Sequence, residues 1–478
     1  MREIAFEWLQ KNGYNLPETN IYNYINVWND WYMNNTDFHT YTDFYGTKRK
    51  MFTLGMAKRV SEDWASIIFT EKDEISTDQQ KNKAFIQNLI KDDGLDLRNE
   101  IAYAIEKATW SGTCAGVLRL KNLKVKKDTI VKDKDTKFEL ELIPADRIIP
   151  LRVEQGKIID VAFVSDILKN SKKIICIEIH ILGKNGYEIT NVFIDEETRK
   201  EVDVKNIIKN MKTMSSTPIF SILETPIVNN IKNNLGLGIS IYGHAIDQLK
   251  ACDVVYNNFV MDFHLGGKKM IYNKRLIKYK TITYTDENGE TQTKEMPIYP
   301  DDVTKQQWME IGDGLPTDEL IKEYNPDLRV DDNEKGIQKA LDLLSFKCGF
   351  GAKYYEFNGG SVVTATQYVG DRQDLIKNAK KYRDNLDRFI NGIIKGSLLL
   401  GRWLLGENVT EECDVEVTNR DGLLVSDEEI KEQLRQEYNM GLISKQTYLM
   451  KTNGWTEEEA QRELELINNE NQITNVVG

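Results

Sequence analysis

The sequence predicts an α+β fold, and three observations carry that prediction. Apolar residues recur at helical spacing before residue 110 and again beyond residue 241. Between residues 115 and 193 they alternate with a period of two. A β-rich, proline-cut stretch then separates two helical stripes. The 478 residues amount to roughly three domains of chain, enough to bury a core without disulfides.

Charge and composition narrow the function classes. Asp and Glu outnumber Lys and Arg by 75 to 63, a net −12. Coating nucleic acid nonspecifically needs net positive surface, so that class is disfavoured, although local basic patches are not. The five cysteines are widely spaced with no CxxC, which predicts buried thiols in a reduced, cytoplasmic setting. No run of 18 apolar residues occurs, and Met1–Gln10 has no apolar core of a signal peptide. His39, His180, His244 and His264 stand in no metal-binding spacing. No metal or cofactor is expected, and no hydrolase or transferase constellation is present.

The first 70 residues hold Trp8, Trp28, Trp31 and Trp64, with Tyr22, Tyr24, Tyr32, Tyr41 and Tyr45 among them. They read either as a stacking platform for bases or as packing between helices or against a neighbouring subunit. Basic residues are sparse until Lys48, Arg49 and Lys50, which favours packing. An amphipathic helix is predicted over Met51–Phe69, with Leu54, Ala57, Val60, Trp64, Ile67 and Ile68 on one face. A second is predicted over Asp96–Trp110.

The period then changes to two. Ala115–Leu120, Phe138–Ile143, Ile158–Val164, Ile174–Leu182 and Tyr187–Phe193 read as strands. The lysine-rich run Lys121–Lys137, interrupted by Asp128, Asp133 and Asp135, reads as a solvated hairpin, with DNA contact as the alternative. Leu235–Ser240 is glycine-rich but lacks the spacing of a phosphate loop, so a hinge into a helix is expected. That helix is predicted over Ile241–Leu265, about 36 Å long. Its stripe is Ile241, Ala245, Leu249, Cys252, Tyr256, Phe259 and Phe263, ended by Gly266-Gly267.

A compact insertion follows, with Lys268, Lys269, Lys274, Arg275, Lys278 and Lys280 at its start and Asn288-Gly289 as a hairpin turn signal. A return helix is predicted over Asn333–Lys353. The segment Tyr354–Val363 contains Asn358-Gly359-Gly360-Ser361 and reads as a loop. Thr364 is expected to cap a long helix reaching Leu400, striped by Leu375, Ala379, Tyr382, Leu386, Phe389 and Ile393. Gly370, Gly392 and Gly396 are candidate kinks in it. Cys413–Val417 is strand-like. Ser426-x-x-Glu429 and Thr456-x-x-Glu459 are capping boxes, and Gly441 and Gly454 are stops, so three short charged helices close the chain.

At this point the chain resembles the portal proteins of tailed bacteriophages. The residues that carry the resemblance lie in four places: Trp28–Phe69, with His39-Thr40-Tyr41 and Leu54–Val60 leading to Asp63-Trp64-Ala65; Leu237–Gly243 running into the long stripe; Gly349-Phe350-Gly351, Phe357 and Thr364-Ala365-Thr366; and Met440–Ser444 with Gly454–Ala460. The resemblance spans nearly the whole chain.

It implies a portal fold and a ring, usually of twelve subunits, at one vertex of a capsid. It implies a wing over residues 1–240, stem helices over 241–265 and 333–353, and a clip over 266–332. A tunnel loop over 354–363, a long wing helix with return strand over 364–425, and a crown over 426–478 follow. Its implied partners are double-stranded DNA in the tunnel, the terminase large subunit, scaffold and major capsid protein, and a head-completion or adaptor protein. No membrane is implied. The place is the virion, with the host cytoplasm during assembly.

Two sets of site residues follow from the resemblance. Phe357, Asn358, Gly359, Gly360, Ser361 and Val362 would line the narrowest ring. Lys268, Lys269, Lys274 and Arg275 would touch DNA or the packaging motor, or else simply protect a hairpin edge. Two other classes stay open. One is a metal-dependent enzyme on nucleic acid, for which Asp301-Asp302 and Asp331-Asp332 are the acid pairs, although loop solvation or helix N-capping is their commoner role. The other is a non-portal minor head or adaptor protein.

Overall fold

In the computed structural model the described residues are all but 17, 44–45, 70–73, 91–94, 123, 127–128, 132–135, 170–171, 205–207, 268, 274–277, 286–288, 299–307, 312–320, 357–372, 419–426, 454, 456 and 475–478. The fold is α+β, as expected.

Helices α1 (Arg2–Lys11) and α2 (Ile21–Tyr32) open the chain, followed by the short antiparallel hairpin β1 (Thr40–Thr42) and β2 (Lys48–Lys50). Trp28, Trp31 and Trp64 are buried, so packing is their role. Tyr24 and Tyr41 are exposed. Helix α3 spans Met56–Ile68 rather than starting at Met51. Gly55 takes φ +66°, a conformation outside the helical region that glycine adopts at no steric cost. The strand β3 (Glu74–Thr77) and helices α4 (Gln80–Ile90) and α5 (Leu97–Ser111) follow. In α5, Leu97, Ile101, Ala104, Ile105 and Ala108 are buried, as the spacing predicts.

Every strand expected between residues 115 and 193 is present. They are β4 (Thr113–Lys121), β7 (Lys137–Pro144), β9 (Lys157–Lys169), β10 (Lys172–Gly183) and β11 (Gly186–Asp195). The lysine run folds back as the hairpin β5 (Lys124–Lys126) and β6 (Thr129–Val131). Strands β8 (Ile148–Glu154), β12 (Asn210–Lys212) and β13 (Phe220–Glu224), like β1 to β3, escape the sequence pattern. Strands β8 to β12 form one sheet, in the order β12-β11-β10-β9-β8, and β13-β4-β7 forms a second. Helix α1 lays Ile4, Ala5 and Leu9 on the first sheet. Arg119 on β4 bridges the sheets, bonding to Glu141 on β7 and to buried Glu178 on β10. Burial would raise the Glu178 pKa, but Arg119 and His180 outweigh it and hold the carboxyl down to about 2.

The glycine-rich stretch is a packed junction, not a hinge. A Cβ on Gly238 would sit 2.2 Å from the Gly112 carbonyl oxygen, so only glycine permits the approach. The Gly238 N–H donates to Thr113 Oγ1 at 2.7 Å. Turns over 241–244 then delay helix α6, which spans Ile246–Leu265. The insertion contains the hairpin β15 (Lys278–Thr285) and β16 (Thr291–Ile298), where the Asn-Gly signal predicts one, with Thr285 opposite Thr291. Beside it, β14 (Lys269–Asn273) pairs with β17 (Trp308–Ile311) and β18 (Ile321–Tyr324). Helix α7 (Val330–Lys347) returns and stops six residues before the expected end, because Gly349 and Gly351 take φ +84° and +87°.

Helix α8 is described over Gln373–Leu404, and its six-residue stripe is buried throughout. It runs unbroken through Gly392 and Gly396, so neither ends it. Each is a place of close contact: an added Cβ would lie 2.4 Å from Ser221 Oγ at one and 2.7 Å from Leu118 Cδ1 at the other. Gly370 and the expected cap Thr364 lie outside the described residues. Strand β19 (Val415–Thr418) pairs with β3. The terminal helices are α9 (Asp427–Asn439), α10 (Lys445–Asn453) and α11 (Glu457–Thr474), the three expected. The five cysteines are unbridged and buried.

Candidate stem and loop base

Helices α6 and α7 pack against each other and carry the small β insertion between them. Their register is pinned at the insertion end. Asp262 on α6 accepts from Arg329 at 2.6 Å and from Asn333 at 2.7 Å, and these bonds, led by Arg329, lower its pKa. The α6 helix closes on Gly266, whose N–H donates to the Asp262 carbonyl at 2.7 Å. Asp331 and Asp332 lie exposed in the first turn of α7, where acids favour the helix dipole.

The α6 stripe divides in two. Ala245, Leu249 and Cys252 are buried, joined by Asp253, but Tyr256 and Phe259 are only half-buried and Phe263 is 48 % exposed. Across from it on α7, Ala340, Leu341 and Leu344 are buried, whereas Leu343 and Phe346 stand exposed. The helix pair thus leaves apolar side chains uncovered within the chain. The β15–β16 hairpin continues the pattern, with Tyr279, Ile282, Tyr284 and Met296 exposed.

The base of the expected tunnel loop is closely packed. Trp64 stacks on Phe350 at 4.9 Å, and Phe350 on Tyr354 at 4.4 Å. The Trp64 indole donates to the Cys348 carbonyl at 3.1 Å. Asn378 of α8 donates to the Gly349 carbonyl at 2.9 Å, and Gln338 of α7 to the Tyr355 carbonyl at 3.0 Å. Burial, and then the charge of Asp63, push the Tyr355 hydroxyl pKa up. Helices α3, α7 and α8 therefore meet where the loop leaves the body.

The loop residues themselves, Phe357, Asn358, Gly359, Gly360, Ser361 and Val362, lie outside the described residues. So do Lys268, Lys274, Arg275, Asp301 and Asp302, while Lys269 is described as backbone in β14. Among the described residues no three His, Cys, Asp or Glu side chains gather as a metal site, and no helix is long and apolar enough to cross a membrane. Sequence reading missed the polar partners of the stem. The signal was there in part: Asp253 follows the buried-stripe residue Cys252 directly, and an acid at the edge of a buried face needs a partner.

Comparison with known proteins gives little. No protein-family model matches the chain, and no curated protein matches it. Among solved structures, one described as "Neck of native GTA particle computed with C12 symmetry" superposes with a TM-score of 0.39 at 10 % identity, covering 83 % of this chain and 89 % of that one. A superposition that loose does not establish a shared fold.

Proposed function

We propose that this chain is a ring-forming portal protein, the conduit for DNA at one vertex of a capsid, and that it performs no chemistry of its own. The observation that carries the reading is the stem. Two antiparallel helices rise from a well-packed body, carry a β-rich head, and leave Phe263, Leu343 and Phe346 uncovered. Identical copies arranged side by side would bury such faces, and a closed ring leaves none of them over.

The charge fits a conduit. A duplex carries one negative charge per about 1.7 Å, so a basic lining would grip it through counterion release. A chain of net −12 is suited to passing DNA without holding it, and in a ring each lining charge is repeated around the axis. In this reading the loop containing Gly359 and Gly360 forms the constriction, and the clip with Lys268 and Lys269 meets the packaging motor.

Negative-stain electron microscopy of the purified protein over a range of concentrations tests the proposal. Closed rings with a central hole, near twelve-fold, are expected. Monomers that persist at high concentration even with scaffold supplied would overturn it. Metal-dependent cleavage of DNA would point instead to an enzyme. Within the portal reading, Pro at Gly359 and Gly360 is expected to stall packaging or release packaged DNA.

A further inference from the structure

We propose that the segment Thr36–Leu54 is a latch on the first stem helix, closed by His39 as a positioning residue acting through Asp253. The segment crosses from the aromatic N-terminal module onto α6 and follows one flank of it. His39 Nε2 meets Asp253 Oδ2 at 2.9 Å. The Leu54 N–H donates to the other oxygen, Asp253 Oδ1, at 2.8 Å. One turn on, the Phe52 N–H donates to Asn257 Oδ1 at 3.1 Å. Near the end of the helix, the Phe52 ring stacks on His264 with centroids 5.7 Å apart. Positions 253, 257 and 264 share a helix face, so the segment acts as a splint along it.

The chemistry makes this contact conditional. Asp253 and His39 side chains are 4 % and 1 % exposed. A buried carboxylate is tolerated only when its oxygens are partnered, and here both partners come from the same segment. Asp253 therefore stays buried only while the segment is seated. Trp31 and Phe38 wall the His39 ring edge-on at 5.3 and 6.0 Å. Lys250, paired with Asp247, lies 5.9 Å over Phe38. His39 Nδ1 is buried without a hydrogen-bond partner, a cost that opening would relieve. Meanwhile the outer part of the segment, β1 and β2, is exposed at every position. The segment is held by these polar contacts together with Phe38 and Leu54, which pack against the core. The consequence for a tunnel, that the latch sets how the stem sits on the body, rests on the portal reading, whereas the latch itself concerns this chain alone.

Hydrogen–deuterium exchange of the full-length protein tests it, comparing wild type with His39→Ala, Asp253→Asn and the double variant. Exchange in peptides covering 36–54 and 253–265 is expected to rise at least about tenfold, a shift of about 1.4 kcal/mol in local opening. Peptides covering β10 should not change. The double variant should be no worse than either single one, because the two groups act as a unit. His39→Gln, which keeps an N–H for Asp253, should recover most of the protection. A uniform rise over the whole chain, or additive single effects, would overturn the latch and make His39 an ordinary core residue. Should His39→Ala fail to fold, Phe52→Ala keeps the pair and is expected to free 257–265 alone; unchanged exchange there would also overturn the proposal. Micrographs of the same samples separate the two readings, since missing rings would remove the portal reading and leave the exchange result standing.

Discussion

The long helix α8 and the stem helix α6 carry the same kind of apolar stripe and meet different fates. Every stripe residue of α8, from Leu375 to Ile393, is buried against the sheets and helices of its own chain. The α6 stripe is buried through Cys252 and then loses its cover, ending at exposed Phe263. The body covers its stripe within the chain, and the stem covers only part of its own. The difference shows that a stripe in sequence records a packed face without saying whose surface packs on it.

The sharpest way to break that comparison is to charge the stem face. Phe346→Glu, or Leu343→Glu, is expected to abolish rings while leaving the melting temperature of the monomer unchanged, as read by sedimentation velocity and calorimetry. Rings that survive would mean that the uncovered face is not the interface. The corresponding change in the body acts on stability instead. Phe389 is buried over Gly116, and Phe389→Ala is expected to cost about 3–5 kcal/mol in urea unfolding, with assembly lost only through unfolding.

Two glutamates of the body sharpen the comparison further, because they titrate in opposite senses. Burial raises Glu224 to about 7, against a smaller opposing effect of Arg388. Its folded state holds the proton more tightly than the unfolded chain. That contribution is complete below about pH 4.5 and is lost as pH rises through 7, on the order of 3 kcal/mol. Glu224→Gln should flatten the fall in stability between pH 5 and pH 8. Glu178 is held down to about 2, so its contribution is present above about pH 4.5 and is lost as pH falls towards 2. Glu178→Gln should therefore weaken the protein at neutral pH and leave it less sensitive to acid. The smallest effect belongs to the stem tip. Arg329→Ala removes an exposed partner of Asp262 and is expected to leave the urea midpoint within error, since exposed pairs add little.

How far the sequence could be read follows the same division. The α5 and α8 stripes and five strands were legible because the residues that bury them alternate or recur locally. Strands β8 and β13 were not: Pro150 interrupts the pattern of β8, which joins β9 through the short turn at Gln155-Gly156, and β13 is short and defined by pairing with distant β4. Gly392 and Gly396 read as weak points of a helix, yet each is small because Ser221 or Leu118 lies against it, a fact held in another part of the chain. Helix α7 ends early at Gly349, where a positive φ lets the chain turn onto Asn378 and Trp64. The stem was legible as two stripes flanking a β-rich insertion, but its polar fixings were not. His39 and Asp253 stand 214 positions apart, and no local pattern joins them.

The central claim is that the uncovered stem face is covered by a neighbouring copy. The most direct test is a photo-crosslinking amino acid at position 346 of the purified, assembled protein. The account predicts a ladder of covalent multimers whose crosslinked peptides map to α6 or α7 of a second copy. Crosslinks found only within one chain, under conditions where the protein is oligomeric, would contradict it.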